Sequence, residues 1–317
     1  MSVTVDVKRI GTYTKLADKT AVPNGKPPRL NESPHLYGNL KESLDLRIGV
    51  ERFKDQGYGD KLHSICDYIR KTSAPGSSLK EAIDADFVSN RRIMKFIARS
   101  AYRRESVDIR AIRKNGVIFL CDNNRISPDN YSSHGFKFEQ YMTLDSNGRP
   151  HRKYEKVSNA KSGKTVLRTT ISSGNGQLKV IYAAETDAMD SQGNCVELKT
   201  TGMDHSRWLK VASLDHYLQS FFANVPYIIF GRKQSHTVSI VYKTDKIWTD
   251  AIPNDSVSWN KEVCFEQLFN VLDTIKTYLQ RDGDALVLKI RSEGISYELG
   301  NSGFNFPDPR FLSHFHN

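Results

Sequence analysis

The chain has 317 residues, with 46 Lys+Arg against 36 Asp+Glu and a formal charge of +10. Hydrophobic residues make up 38%, including 15 Phe and 14 Tyr, which is enough for a sizeable core and excludes global disorder. No stretch approaches the ~18 apolar residues of a membrane span. The opening MSVTVDVKRIGTYTK lacks the apolar region of a secretory signal. Cys66, Cys121, Cys195 and Cys264 are too widely spread for a disulfide framework or a zinc site. These features predict a protein of a reducing intracellular compartment, nucleus or cytoplasm, with no membrane partner.

Residues 1–40 read as a mobile N-terminal arm, because 19–35 are rich in Pro and polar residues, and 41–317 read as one α+β domain. A helix is predicted near 59–72 and a second, basic one at 89–104, with Ser89 or Asn90 as N-cap. A strand follows at Val117–Cys121. Strands are then predicted at 136–141, 166–172, 178–184 and 195–201, separated by the turn signals Asn147-Gly148, Gly174-Asn175-Gly176 and Gln192-Gly193-Asn194. Ser162-Gly163-Lys164-Thr165 imitates the end of a phosphate-binding loop, but the earlier Gly is replaced by Ser158, so it reads as a basic hairpin loop. Helical spacing returns at 208–223 and 262–280, and strands at 285–290 and 295–299 close the pattern.

The positive charge is local. Between Arg91 and Arg168 there are 18 Lys/Arg and 7 Asp/Glu. Arg91, Lys95, Arg99 and Arg103 recur every four residues opposite an apolar face, a stripe of like charges that a phosphate backbone would compensate. A single-stranded nucleic acid lying there could stack its bases on Tyr102 or Tyr131.

The acids are the other informative pattern. Glu185 and Asp187 at i and i+2, then Glu197 and Lys199 at i and i+2, would each share a strand face. Pairing the two strands would gather three carboxylates around one ammonium, an arrangement eased by a hard divalent cation. Glu139, placed at a strand start, could add a fourth. This pattern resembles the acidic core of the PD-(D/E)xK nucleases. From these residues alone a solvent-facing hairpin of alternating charge remains equally open.

Six segments in order resemble the DXO family of decapping exoribonucleases: Phe87-Val88-Ser89-Asn90-Arg91, Gly135-Phe136-Lys137-Phe138-Glu139, Glu185-Thr186-Asp187, Glu197-Leu198-Lys199, Gln219-Ser220-Phe221 with Val225-Pro226, and Tyr242-Lys243-Thr244. The resemblance implies two mixed β-sheets flanked by helices with an acidic, metal-dependent site. It implies removal of incomplete or NAD-type caps or 5′ pyrophosphate from RNA, with 5′-3′ exoribonuclease activity. Carried over, Glu139, Glu185, Asp187 and Glu197, with Leu198, would hold two Mg2+ or Mn2+ ions. Lys199 and Gln219 would grip the scissile phosphate, and Arg91 would line the RNA path. Two other readings stay open: a DNA nuclease with the same acidic core, and a weakly active partner that stabilises another exonuclease.

Overall fold

The computed structural model describes residues 2–56, 59–122, 132–256, 258–300 and 305–316. Two mixed sheets carry the fold. The nine-stranded sheet runs, in spatial order, Ile295–Leu299, Ala285–Ile290, Val107–Lys114, Val117–Asp122, Phe87–Asn90, Gly176–Glu185, Ser162–Ser173, Thr4–Lys15 and Ala21–Pro23. The seven-stranded sheet runs Gly38–Asp45, Ile240–Trp248, Tyr227–Lys233, Cys195–Thr201, Ala188–Met189, Arg29–Leu30 and Thr143–Leu144. Helices Arg91–Arg99, Ser213–Phe221 and Lys261–Tyr278 share the largest core with residues of both sheets. Helix His63–Thr72 covers the other face of the larger sheet. The described helices include none long and apolar enough to cross a membrane.

The expected N-terminal arm is instead built into the fold. Thr4–Lys15 pairs along its length with Ser162–Ser173, and Tyr13 is fully buried. The Pro-rich stretch follows as short edge strands, held where Ala21 N–H donates to Asp67 and Lys71 donates to the Ala21 carbonyl. Proline favours extended backbone, and extended backbone serves an edge strand as well as a free arm.

Two further expectations change. Residues 136–141 are not a strand but lie within helix Ser132–Met142. Phe138 and Met142 at i and i+4 are both fully buried, and Lys137 sits over the Tyr141 ring at 4.6 Å. A Cβ at Gly231 would come within 2.7 Å of the Phe138 ring, so glycine lets this helix seat against strand Tyr227–Lys233. Ser162–Thr165 is not a loop either; it begins the strand Ser162–Ser173, with Gly163 against Pro27.

Candidate active site

The chain leaves one sheet and enters the other at Glu185-Thr186-Asp187. Glu185 is the last residue of strand Gly176–Glu185 in the larger sheet, and Ala188 opens the strand that pairs with Val196 in the smaller one. Thr186 anchors the crossing: its amide donates to the Gly163 carbonyl at 3.1 Å and its hydroxyl meets that of Thr165 at 2.6 Å. Glu185 and Asp187 therefore do not share a strand face, as the i, i+2 spacing suggested. They belong to different layers at one junction. Asp190, Gly193 and Asn194 close the turn that returns the chain to strand Cys195–Thr201, as the sequence predicts, with Gly193 at φ +83°.

Four elements bring the remaining groups to this junction. Strand Cys195–Thr201 supplies Glu197 and Lys199, helix Ser132–Met142 supplies Glu139, helix Ser213–Phe221 supplies Gln219, and Arg91 is the first residue of its helix. That helix starts where it does because Asn90 caps it, accepting the Ile93 N–H at 2.9 Å. Glu197, only 2% exposed, is met by Lys199 at 2.6 Å, Gln219 at 2.5 Å and Arg91 at 3.4 Å. Glu185 is met by Lys164 at 2.7 Å. Asp187 accepts the backbone N–H of Leu198 at 2.8 Å. Glu139, Glu185 and Asp187 border one cleft of about 560 Å³. Glu185 also borders a second, of about 310 Å³, shared with Arg91 and Lys164.

The electrostatics divide the acids into two pairs. Burial would raise Glu185 and Glu197, but Lys164 overrides it at the first, and Lys199 and Arg91 at the second, so both sit below the usual carboxylate range. Among the described residues, Glu139 and Asp187 have no cation within ion-pair distance. Burial, then repulsion from Asp187 and Glu185, pushes Glu139 well up, and burial with the charge of Glu197 pushes Asp187 up to about 7. Lys199 is raised, because Glu197 and Asp187 outweigh its own burial. Two acids are thus held charged beside lysines, and the other two are pushed toward the protonated form.

That division tests whether a divalent cation suits the site. The donors are hard carboxylate oxygens, the type preferred by magnesium or manganese. Lys199 acts on both Glu139 and Asp187 but does not offset their burial and the repulsion of neighbouring acids. Among the described residues no three His, Cys, Asp or Glu side chains close on one point, since Glu185 and Glu197 are turned toward their lysines. The donor set fits such a cation in chemical type.

The basic stripe has a different fate from the one expected. Lys95, Arg99 and Arg103 all meet Asp215 of helix Ser213–Phe221, at 3.1, 2.6 and 3.5 Å. Arg99 is 5% exposed and Arg103 also donates to the Val211 carbonyl at 2.6 Å. A single intramolecular carboxylate therefore partners three cations of the stripe. The Tyr102 hydroxyl accepts the Asn260 N–H at 2.9 Å, and Tyr131 lies outside the described residues.

Lys164, Asp215 and His216 also pack around these groups, although no sequence motif marks them. Lys164 was within reach: counting outward from the Ser173–Gly176 pair places it opposite Glu185. His216 accepts the Trp208 indole N–H at 2.9 Å, and its burial, with Lys199 nearby, lowers it to about 3.

A family profile described as RAI1 like PD-(D/E)XK nuclease matches residues 6–310. The chain belongs to this nuclease family. It is therefore a hydrolase, of the class that includes the decapping nucleases. Decapping nuclease dom-3 of Caenorhabditis elegans is 31% identical over 274 residues, covering 79% of this chain and 68% of that protein. The fold is that of Candida albicans Rai1 in complex with pU5-Mn2+, at TM-score 0.75 and 17% identity over 99% of this chain and 95% of the other. Scheffersomyces stipitis Rai1 in complex with (3'-NADP)+ and calcium ion gives TM-score 0.72 and 14% identity, over 99% and 97%.

Proposed function

We propose that the chain is a divalent-metal-dependent hydrolase of RNA 5′ ends, removing incomplete or NAD-type caps or 5′ pyrophosphate and degrading the exposed RNA from its 5′ end. The observation that carries this reading is the pair Glu139 and Asp187, two acids with no cation at ion-pair distance among the described residues, beside two that have one. The name of the worm relative and the oligonucleotide and dinucleotide ligands of the two yeast proteins support RNA ends and NAD-type caps as substrates.

Two Mg2+ or Mn2+ ions at the carboxylates would activate a water and neutralise the leaving oxygen. Glu139, Glu185, Asp187, Glu197 and the Leu198 backbone would hold them. The chain's own groups do the rest. Lys199 keeps its charge throughout, since two acids raise it, and can turn from Glu197 to a phosphate oxygen. Gln219 and Arg91 converge on the same carboxylate and can shift to the substrate with it. Capped and uncapped ends both present a bridged phosphate, so one centre serves each.

The test offers the purified chain, with manganese, RNAs bearing 5′ monophosphate, triphosphate, unmethylated guanosine or NAD, beside a DNA oligomer of equal sequence. Release of the terminal group and shortening of the RNA are expected, abolished by chelator. Hydrolysis that continues in excess chelator, or that prefers the DNA, would overturn the proposal.

A further inference from the structure

Next to the carboxylates lies a lysine that the hydrolytic reading does not use. Lys15 ends strand Thr4–Lys15 and is 1% exposed. Among the described residues its buried ammonium has no hydrogen-bond partner. In the antiparallel register Lys15 faces Ser162, Tyr13 faces Lys164, and Lys164 faces Glu185. Directly opposed residues, and residues two apart, share a face. Lys15, Ser162, Lys164 and Glu185 therefore lie together on one side of the sheet. The Ser162 hydroxyl is also buried without a partner.

The nearby acids are bonded elsewhere. Glu185 binds Lys164 at 2.7 Å, Asp60 takes the Ser64 hydroxyl and amide at 2.6 and 3.0 Å, and Asp55 takes the Asn159 amide at 2.6 Å. None forms an ion pair with Lys15. A buried ammonium without a partner is costly, and a water would satisfy its hydrogen bonds without its charge. A phosphate group satisfies both. Its oxygens can accept from Lys15, from Ser162 and from Lys164, which uses one of its three protons on Glu185. Ser162 borders the larger cleft and Lys164 the smaller, both reaching Glu185, while Lys15 lines neither and stands behind Ser162 in the sheet, so the group would enter between Ser162 and Lys164.

We propose that Lys15, Ser162 and Lys164 form a subsite for a substrate phosphate adjoining the one attacked. The proposal rests on the reading of the carboxylate cluster as a phosphate-hydrolysing centre.

The deciding variant is Lys15→Met, which keeps the volume and removes the charge. In the absence of ligand it should melt at the same temperature as the wild type or higher, because a buried unpaired charge is gone. With manganese, its KM for 5′-phosphorylated oligouridylate should rise roughly tenfold or more, with kcat changed less, since a charge-assisted contact is lost. Ser162→Ala should move KM in the same direction by a smaller factor, which keeps the test valid if Lys15→Met folds poorly. In chelator, phosphorylated oligouridylate should raise the melting temperature of the wild type more than that of Lys15→Met, and the unphosphorylated oligomer should not discriminate. A lower melting temperature with unchanged KM would make Lys15 a structural residue and overturn the proposal. So would a wild-type shift produced by inorganic phosphate alone with unchanged KM, which assigns the site to free anion. Absence of hydrolysis by the wild type defeats the functional reading, while the metal-free melting comparison still decides the subsite.

Discussion

Asp187 is tied to the backbone amide of Leu198 at 2.8 Å, which fixes the acid just beyond the sheet crossing onto the strand that carries Glu197 and Lys199. The bond holds Asp187 in place although burial, and then the charge of Glu197, raise it to about 7. An ordinary aspartate titrates near 3.8, so without metal the folded chain holds a proton there that the unfolded chain releases. Its stabilising contribution is full below about 3.8 and is lost as pH rises through about 7. Asp187→Asn should therefore melt at the same or a higher temperature than the wild type in chelator above neutral pH. Its turnover should fall on the order of 100-fold or more, and its melting temperature should respond less to manganese. Thermal scans with and without metal check this, and wild-type turnover would remove Asp187 from the site.

Asp215 is expected to be structural. It serves Lys95, Arg99 and Arg103 from a second helix, and Arg99 is buried beside it. Asp215→Ala leaves Lys95 and Arg99 without this partner and should cost about 3 kcal/mol, in line with breaking a buried pair. Urea titration reads the loss. Arg103→Ala, which removes a half-exposed partner, should cost less than ~1 kcal/mol and leave the salt dependence of RNA binding unaltered.

His216 should make the fold acid-sensitive. Burial lowers it to about 3, against about 6.5 when unfolded, so below that value the unfolded chain binds a proton that the folded chain refuses. This contribution is present above pH 6.5 and is lost as pH falls toward 3. Replacement by Gln, which can still accept the Trp208 indole N–H, should flatten the acid side of the stability profile. Trp208 fluorescence follows the transition, since its indole donates directly to His216. An equally steep profile in His216→Gln would place the titration elsewhere.

Gly231 controls the site at one remove. A methyl group there would fall 2.7 Å from the Phe138 ring, and Phe138 precedes Glu139 in the same helix. Gly231→Ala should cost about 1–3 kcal/mol of stability through overpacking. It should also reduce turnover through displacement of Glu139, whereas Gly193→Ala, in an open turn, should affect stability alone. Equal turnover in the two variants would uncouple this helix from the chemistry.

Much of the site was legible because its parts are local. The Gly174-Asn175-Gly176 turn sets the hairpin, and the hairpin alone implies Lys164 beside Glu185. The short turn at 190–194 likewise places Glu197 near the crossing. What stayed hidden depends on partners distant in sequence. Phe136 and Phe138 alternate as in a strand, and only the later Met142, with the groove at Gly231, decides for a helix. The basic stripe looked unpaired because Asp215 lies more than a hundred residues beyond it. Nothing local shows that the chain leaves one sheet after Glu185 and that Asp187 stands just before the other.

That split makes the chemistry a fastening. Glu185 belongs to one layer, Asp187 and Glu197 to the other, with Thr186 as the direct chain link between them here. Whatever charge draws these acids together acts as a rivet through both layers, so occupancy of the site and resistance of the sheets to sliding apart become one quantity. Amides of Thr165 and Val196, far apart in sequence, should then slow their hydrogen exchange in step when the acids are neutralised.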